Sequence, residues 1–252
     1  MSNALSFWKR YGVSSAARKI VAIHQPNFFP WLGYFNKLAR ADVFIVLDNV
    51  QFPKTGGTWM NRVRLLVNGE PDWISMPVVR SYHGTRQIHE MKINNNISWR
   101  KKLLKTIDLS FRHAPFHHEV LPLFRKLIEN PTDNLQEFNL TALQAMGTAI
   151  GLDWGKVTLG SALEVRGEAT DLLIAMVRAV GGTAYLCGGG AGAYQEDEKF
   201  AAAGIQLIYQ GFEHPTYSQT DNVRFCAGLS IIDVAMNCGF DGTRQLVVPG
   251  LA

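Results

Sequence analysis

The 252-residue chain has the length and composition of a single globular domain, with 47% apolar and 18% charged residues. This balance excludes a disordered chain, and no apolar run reaches the ~18 residues that a transmembrane helix requires. The 25 basic and 21 acidic residues leave a formal charge of +4, and this small excess does not indicate a nucleic-acid-binding protein.

The first predicted elements form a βαβ unit. Residues 19–23 predict a short strand, a turn rich in proline and aromatic residues follows, and a helix is expected at residues 34–39. An apolar run at residues 42–48 predicts a second, buried strand. Because the strands of such a unit are parallel neighbours, we expect His24 and Asp48 to lie at the same edge of the sheet.

The middle of the chain changes character. Segments 62–67 and 73–78 flank Asn68-Gly69, which predicts a β-hairpin, and alternation over residues 87–93 predicts a third strand. From residue 98 to residue 151 the pattern is helical. The expected boundaries are a cap at Ser98, an end at Pro115, a second start at Thr132 or Asp133 and an end at Gly151.

The alternation of strands and helices then returns. Strands are predicted at residues 157–159, 184–187 and 205–209, and helices at residues 168–180, from 196–198 onward and at 230–238. We therefore expect an α/β fold, a single Rossmann-like domain over residues 19–252 with a mostly parallel central sheet. A β-hairpin extension and a helical insertion would occupy about residues 59–151. Residues 1–18 would be an N-terminal extension without the apolar stretch of a signal peptide.

The turn after the first strand holds the candidate catalytic residue, His24. A histidine at this place can act as a general acid or base, or can simply bond to the end of the strand. Gln25 and Asn27 supply hydrogen-bond donors and acceptors for a substrate. Trp31 and Tyr34 supply flat walls that can stack on a sugar or planar ring, although such aromatic residues also pack in cores.

The other candidate substrate-binding residues lie near predicted strand ends: Asp48, Gln51, Asn61, Arg62, Tyr185, Gly189, Gly190 and Tyr194. Asn61 and Arg62 could clamp a carboxylate or phosphate, or satisfy the hairpin edge. The glycine run 188–192 lies where backbone amides can cradle an anion, but it lacks the GxGxxG and P-loop spacings. A flexible loop or a tight turn is the alternative. We expect Asn61, Arg62 and the loop from Gly188 to Tyr194 to share one pocket with the turn from His24 to Tyr34.

No metal site or disulfide framework is expected. The three cysteines have no CxxC spacing, and the histidines at positions 113, 117 and 118 have only Glu119 as a nearby acidic residue. This cysteine usage, together with the missing signal peptide, predicts a cytoplasmic protein.

Several of these segments together resemble the WbqC-like protein family. They are residues 23–52, Trp59-Met60-Asn61-Arg62, and residues 73–78, 182–186 and 229–233. The similarity covers about residues 19–240. That family is associated with bacterial O-antigen, lipopolysaccharide and other surface-polysaccharide gene clusters, often near sugar aminotransferases. Residues 1–18 and the glycine-rich loop at 187–192 depart from the family pattern.

The resemblance implies an enzyme of surface-glycan synthesis. The expected reaction is acyl or aminoacyl transfer to the amine of a nucleotide-linked amino sugar, with His24 as proton acceptor and acyl-CoA or ATP as co-substrate. A non-catalytic scaffold that binds a glycan or nucleotide sugar is one alternative, and an ATP-dependent nucleotidyltransferase-like ligase is another. For the ligase, Trp31-Leu32-Gly33-Tyr34 takes the place of an HxGH motif and lacks both histidines. The sequence leaves homo-oligomerisation open.

Overall fold

A computed structural model describes residues 18–188, 196–219 and 224–248. The strands are β1 (Ile20–His24), β2 (Val43–Val46), β3 (Arg62–Val67), β4 (Glu70–Ser75), β5 (Val157–Leu159), β6 (Ala184–Cys187) and β7 (Gln206–Tyr209). The α-helices are α1 (Leu32–Arg40), α2 (Trp99–Phe111), α3 (His117–Ile128), α4 (Leu135–Ala149), α5 (Ala169–Ala179), α6 (Asp197–Ala202) and α7 (Ile231–Val247). Short 3-10 helices occupy Ile88–Glu90 and Gly160–Leu163. This succession of elements confirms the predicted Rossmann-like α/β class.

The central sheet is a 5-stranded sheet in the order β5-β2-β1-β6-β7, and every neighbouring pair is parallel. The chain places β2 and β5 on one side of β1, and then crosses over to place β6 and β7 on the other side. The strand order therefore reverses between β1 and β6, as in doubly wound folds. The predicted pairing of the first two strands is confirmed, since His24 is in register with Val46 and Asp48 follows at the same edge.

The central strands β1, β2 and β6 are buried on both faces, because their alternate residues enter two different cores. Ala22 and Leu186 belong to the larger core, which α1, α2, α3, α4 and α7 complete. Ile23 and Cys187 belong to the smaller core beneath α5 and α6. Burial on both faces explains why these strands are almost continuous apolar runs in the sequence.

The predicted hairpin is present as β3 and β4, with φ values of 53° at Asn68 and 78° at Gly69 in its turn. It forms a 2-stranded sheet of its own and does not lengthen the central sheet. The second strand begins at Glu70, earlier than predicted, because pairing starts directly after the turn. The third strand predicted at residues 87–93 is wrong. Gln87 and Glu90 form a capping box there, and the reciprocal side-chain bonds stabilise the 3-10 helix instead.

The helical insertion contains a helix for which the sequence analysis predicted no separate boundaries. Helix α3 begins at His117 and includes Pro122, a residue that normally ends a helix. Helix α4 is capped by Asn134, whose side chain accepts the Glu137 N–H at 2.9 Å, and not by Thr132 or Asp133. Ser98 does precede α2, but its side chain makes no capping hydrogen bond.

The last helix is longer than predicted. Its expected end at Cys238 coincides with a break at Gly239, where φ is 68° and ψ is 180°. The ring of Phe116 lies only 2.7 Å from the position of a Cβ on Gly239, so this residue must be glycine. The helix then continues to Val247. Within the described ranges, no helix is long and apolar enough to cross a membrane.

Candidate functional site

The carboxyl ends of β1 and β6 meet where the strand order reverses. In open α/β sheets this is the place where ligands bind, because the loops that follow the two strands diverge and leave a crevice. His24 ends β1 and Cys187 ends β6, and pairing of Ala22 with Leu186 aligns the two strands. We refer to His24, Tyr34, Lys37, Tyr185 and Cys187 as the switch-point site.

His24 is half-buried and neutral. Its Nδ1 lies 3.1 Å from the Gln25 carbonyl oxygen. Because a carbonyl only accepts hydrogen bonds, Nδ1 carries the proton and Nε2 carries the lone pair. Burial, and then the positive charge of Lys37, lower the pKa of the imidazole to about 3. Near neutral pH the ring therefore presents an unprotonated Nε2 that can accept a proton or a hydrogen bond.

Lys37 of α1 is a member of the site that the sequence analysis missed. Its Nζ donates to the Ile23 carbonyl at 2.9 Å, because a helical side chain points back toward the helix N-terminus and reaches the end of β1. Lys37 is only 3% exposed, and no carboxylate in the described ranges forms an ion pair with it. Burial lowers the pKa of the ammonium to about 8. A buried cation without a counter-ion costs stability, and an anionic ligand would offset that cost.

The turn between β1 and α1 is strained. Phe29 has a φ of 40°, in the left-handed region that costs energy for a residue with a side chain. The Tyr34 hydroxyl and the Asn27 Oδ1 are buried, and neither has a hydrogen-bond partner in the described part of the chain. The Tyr34 ring lies edge-on to His24, with ring centroids 4.7 Å apart. Gln25 contributes its carbonyl oxygen to His24.

Trp31 connects this turn to the loop that follows β7. Its ring lies 5.4 Å from the Phe212 ring and is stacked on the His214 ring at 6.0 Å, both measured between centroids. A Cβ on Gly33 would lie 2.4 Å from the Trp31 ring, so glycine is needed for this arrangement. Trp31 thus packs against a different segment from the one that holds His24.

Asp48 connects three elements through hydrogen bonds of its carboxylate. Its Oδ1 accepts the Ser161 N–H at 2.8 Å, and its Oδ2 accepts the Ser161 hydroxyl at 2.6 Å and the Gln136 amide at 2.8 Å. The residue is only 1% exposed. These bonds join the end of β2 to the Gly160–Leu163 helix and to α4. Contact between Asp48 and a substrate stays a prediction.

Replacement of Asp48 by alanine is expected to lower the free energy of unfolding by roughly 3 kcal/mol, because three donors lose a buried acceptor. Urea unfolding measures the change. Asp241→Ala, at an exposed position of α7, is the control and is expected to change stability by less than about 0.5 kcal/mol. A decrease in the free energy of unfolding of less than about 1 kcal/mol in Asp48→Ala would contradict this structural role of Asp48.

Asn61 holds the turn that precedes β3. Its Oδ1 accepts the Thr58 N–H at 3.1 Å, and its Nδ2 donates to the Met76 carbonyl at 3.0 Å. The same turn contacts the segment after β1, since the Phe28 N–H donates to the Trp59 carbonyl at 2.8 Å. Asn61 therefore lies in a segment that is hydrogen-bonded to the strained turn after β1.

Arg62 and Gln51 make their contacts with residues other than those around His24. The Arg62 guanidinium is 4.2 Å from the centroid of the Trp73 ring, and its Nε is buried without a hydrogen-bond partner in the described ranges. Gln51 is exposed and forms an isolated bridge with Gln87. A substrate contact by either residue stays a prediction.

Tyr185 joins the switch-point site from β6. Its ring is stacked on Phe200 of α6, with centroids 5.1 Å apart, and Lys37 Nζ lies 5.9 Å from the Tyr185 centroid. Gly189, Gly190 and Tyr194 lie outside the described residues, as does most of the glycine run. Of the predicted site residues, the structure thus brings His24, Tyr34 and Tyr185 together around Lys37.

A second polar cluster lies at the start of α7. Asp233 is fully buried, and its Oδ1 accepts the Tyr217 hydroxyl at 2.6 Å and the Gln219 amide at 3.3 Å. Its Oδ2 is buried and lacks a hydrogen-bond partner in the described part of the chain. Burial raises the pKa of this carboxyl to about 6. The Ser230 hydroxyl donates to the Phe29 carbonyl at 2.7 Å, which ties the start of α7 to the strained turn.

The histidines near Pro115 do not gather into a metal centre. In residues 18–188, 196–219 and 224–248, no group of three or more His, Cys, Asp or Glu side chains could hold a metal ion. His117 bonds through Nε2 to Asp108 at 3.1 Å. Its neighbour His118 lies edge-on to the same ring.

The fold and the switch-point site define a doubly wound, Rossmann-like α/β protein with a buried ammonium and a neutral histidine at the carboxyl edge of its parallel sheet. The chain belongs to the WbqC-like protein family, which it matches over residues 25–245, and the resemblance seen in the sequence is thereby confirmed. It is also similar to the uncharacterized protein Rv1507c of Mycobacterium tuberculosis H37Rv. The two are 26% identical over 231 residues, which cover 90% of this chain and 97% of the relative. No solved structure matches the chain.

Proposed function

We propose that the protein is a cytoplasmic enzyme of bacterial surface-glycan biosynthesis. It transfers an acyl or aminoacyl group to the amine of a nucleotide-linked amino sugar. The observation that carries this proposal is the pairing of a buried ammonium, Lys37, with a neutral imidazole, His24, at the switch point. The diphosphate of a nucleotide-linked sugar supplies a negatively charged counter-ion for the Lys37 ammonium. The attacking amine of the sugar supplies a proton that His24 can accept.

Two features support phosphate binding. One of the three N–H donors of Lys37 bonds to the Ile23 carbonyl, so two remain for ligand oxygens. Helix α1 begins at the same edge of the sheet, and its N-cap residue, Trp31, has no side-chain capping bond. Unpaired N–H groups at a helix start favour an anion. The ligand's phosphates would therefore lie between the start of α1 and the Lys37 ammonium.

The transfer step uses His24 as proton acceptor. The neutral amine nitrogen of the sugar attacks the carbonyl carbon of a thioester such as acyl-CoA, and a C–N bond forms as the C–S bond breaks. The thiolate leaves with the electron pair of the C–S bond. His24 Nε2 accepts the proton that the nitrogen loses and passes it to the thiolate, so the products are an amide and a thiol. A bound phosphate offsets the Lys37 charge, which raises the proton affinity of His24 in the complex.

The test is a direct assay of the purified protein. UDP- and TDP-linked amino sugars are each supplied with an acyl-CoA, or with an amino acid and ATP, and amide formation is followed by mass spectrometry. Amide formation from a thioester supports the proposal. Amide formation that requires ATP supports the ligase alternative. Binding of nucleotide sugars without a product supports a scaffold, and absence of both binding and product contradicts all three.

A further inference from the structure

Asp233 is a fully buried carboxyl group for which the described residues supply no cation. No lysine, arginine or histidine side chain in the described ranges pairs with it. Tyr217 and Gln219 both donate to Oδ1, which leaves Oδ2 buried and unpaired in this part of the chain. Burial of a carboxylate without a positive partner is costly, so the missing group is expected to be a cation or a strong donor.

A second unpaired acceptor belongs to His214, whose ring neighbours that of Tyr217. His214 Nδ1 is 2.9 Å from the Pro215 carbonyl, so Nδ1 carries the proton and Nε2 carries the lone pair. Nε2 is buried and has no hydrogen-bond partner in the described residues. Burial lowers the pKa of His214, which keeps the ring neutral. Asp233 Oδ2 and His214 Nε2 are thus two buried acceptors for which the described part of the chain offers no donor.

Aromatic rings lie next to Tyr217 and His214. The Tyr217 ring centroid lies 6.2 Å from that of His214 and 5.3 Å from that of Phe225, and Trp31 stacks on His214. The faces of such rings attract cations. An ammonium group has three N–H donors and a positive charge, so its chemistry suits both kinds of acceptor and the ring faces.

We propose that Asp233 and His214 bind the primary ammonium of an aminoacyl group. This rests on the proposed transfer reaction and names its donor as an aminoacyl rather than a simple acyl compound. The start of α7 bonds to the turn after β1 through Ser230 and Phe29, so the donor's ammonium is held by the same framework that carries His24.

An NMR titration of the whole protein tests the proposal with three small probes. Glycinamide carries the ammonium of an aminoacyl group, acetamide lacks it, and glucosamine carries an ammonium on a sugar. An ammonium that prefers the ionised carboxylate about tenfold must lower the Asp233 pKa by about one unit at saturation. Acetamide should leave that pKa unchanged. Of the titratable groups that face Asp233, Tyr217 has a raised pKa and Cys238 a pKa of about 11, so neither titrates in this range.

Asp233→Asn is expected to weaken glycinamide binding at least about tenfold, because the charge is lost while the shape is kept. Asp241→Asn, exposed on the same helix, should bind like the wild type. If Asp233→Asn does not fold, the shift of the Asp233 pKa in the wild-type titration still tests the proposal. Equal effects of glycinamide and acetamide, or none from either, would overturn the proposal, and binding of glucosamine alone would overturn the aminoacyl assignment. The probes carry no phosphate, so their binding does not depend on the nucleotide-sugar site. If glycinamide binds but the transfer assay gives no product, only the proposed reaction is refuted.

Discussion

Replacement of His24 by alanine is expected to lower kcat about a hundredfold or more, while nucleotide-sugar affinity changes less than about threefold. The substitution removes Nε2, the acceptor for the amine proton, and leaves the Lys37 ammonium in place. His24→Gln should have a similar effect on kcat. A glutamine amide can still donate to the Gln25 carbonyl, but it has no group that accepts a proton near neutral pH. Initial rates over a range of nucleotide-sugar concentrations separate kcat from KM.

His89→Gln is the matched control for this prediction. His89 is also half-buried and also bonds through Nδ1 to a backbone carbonyl, that of Asp48 at 3.2 Å, but it lies outside the switch-point site. Its replacement should leave kcat near the wild-type value. Near-wild-type kcat in His24→Gln would remove base catalysis by His24 from the mechanism. A lower melting temperature in His24→Ala, partly restored in His24→Gln, would indicate a structural role instead.

The strands of the central sheet, their parallel direction and the pairing of the first two could be predicted because local signals agree with one another along most of the chain. The buried strands are short apolar runs, and right-handed crossovers leave few ways to join them. The errors lie where local side-chain bonds decide the structure. Gln87 and Glu90 turn an alternating segment into a 3-10 helix, and Asn134 takes the cap that two neighbouring residues could also have provided. Such choices depend on short-range side-chain hydrogen bonds, which hydrophobic periodicity does not contain.

The candidate site was predicted less completely than the fold. The turn after β1 stood out because it collects histidine, amide and aromatic side chains directly after a strand. Lys37 did not, because a lysine within a helical pattern normally lies on the solvated face, and its burial depends on packing against β1 and β6. Asp233 left a local signal, a carboxylate directly after two isoleucines and before a valine. A charged residue inside such an apolar run is expected to be buried and paired, and that reasoning would have singled it out.

The buried ammonium of Lys37 should cost the protein stability. Its pKa falls from 10.5 to about 8 on folding, so between these values the unfolded state binds more protons than the folded state. Stability should therefore rise with pH through this window, by up to about 3 kcal/mol, and the full cost is present below pH ~8. An amino acid that weakens the fold at neutral pH is expected to serve a function.

Replacement of Lys37 by methionine is therefore expected to raise stability and to abolish tight binding. At pH 7 the free energy of unfolding should increase by about 2 kcal/mol, since relief of the ~3 kcal/mol cost exceeds the ~1 kcal/mol lost with the Ile23 hydrogen bond. The gain should shrink as pH rises toward 10.5, because the wild-type lysine then loses its charge. Affinity for a nucleotide sugar should fall about a hundredfold, which corresponds to an attraction of about 3 kcal/mol over ~6 Å at an effective dielectric constant of ~20.

Lys156→Met is the control for Lys37→Met. It shows which effects come from removing any partly buried lysine and which come from removing the lysine of the switch-point site. Lys156 Nζ donates to the Ala39 carbonyl at 3.1 Å, and burial lowers its pKa as well, but it lies outside the switch-point site. Urea unfolding at several pH values and calorimetric titration with a nucleotide sugar should be carried out on both variants. Only Lys37→Met should lose affinity, and its stability gain should follow the pH window of Lys37. Unchanged affinity in Lys37→Met would show that the ammonium does not contact the ligand's phosphates. A destabilised Lys37→Met would show that its bond to β1 outweighs the cost of burying the charge.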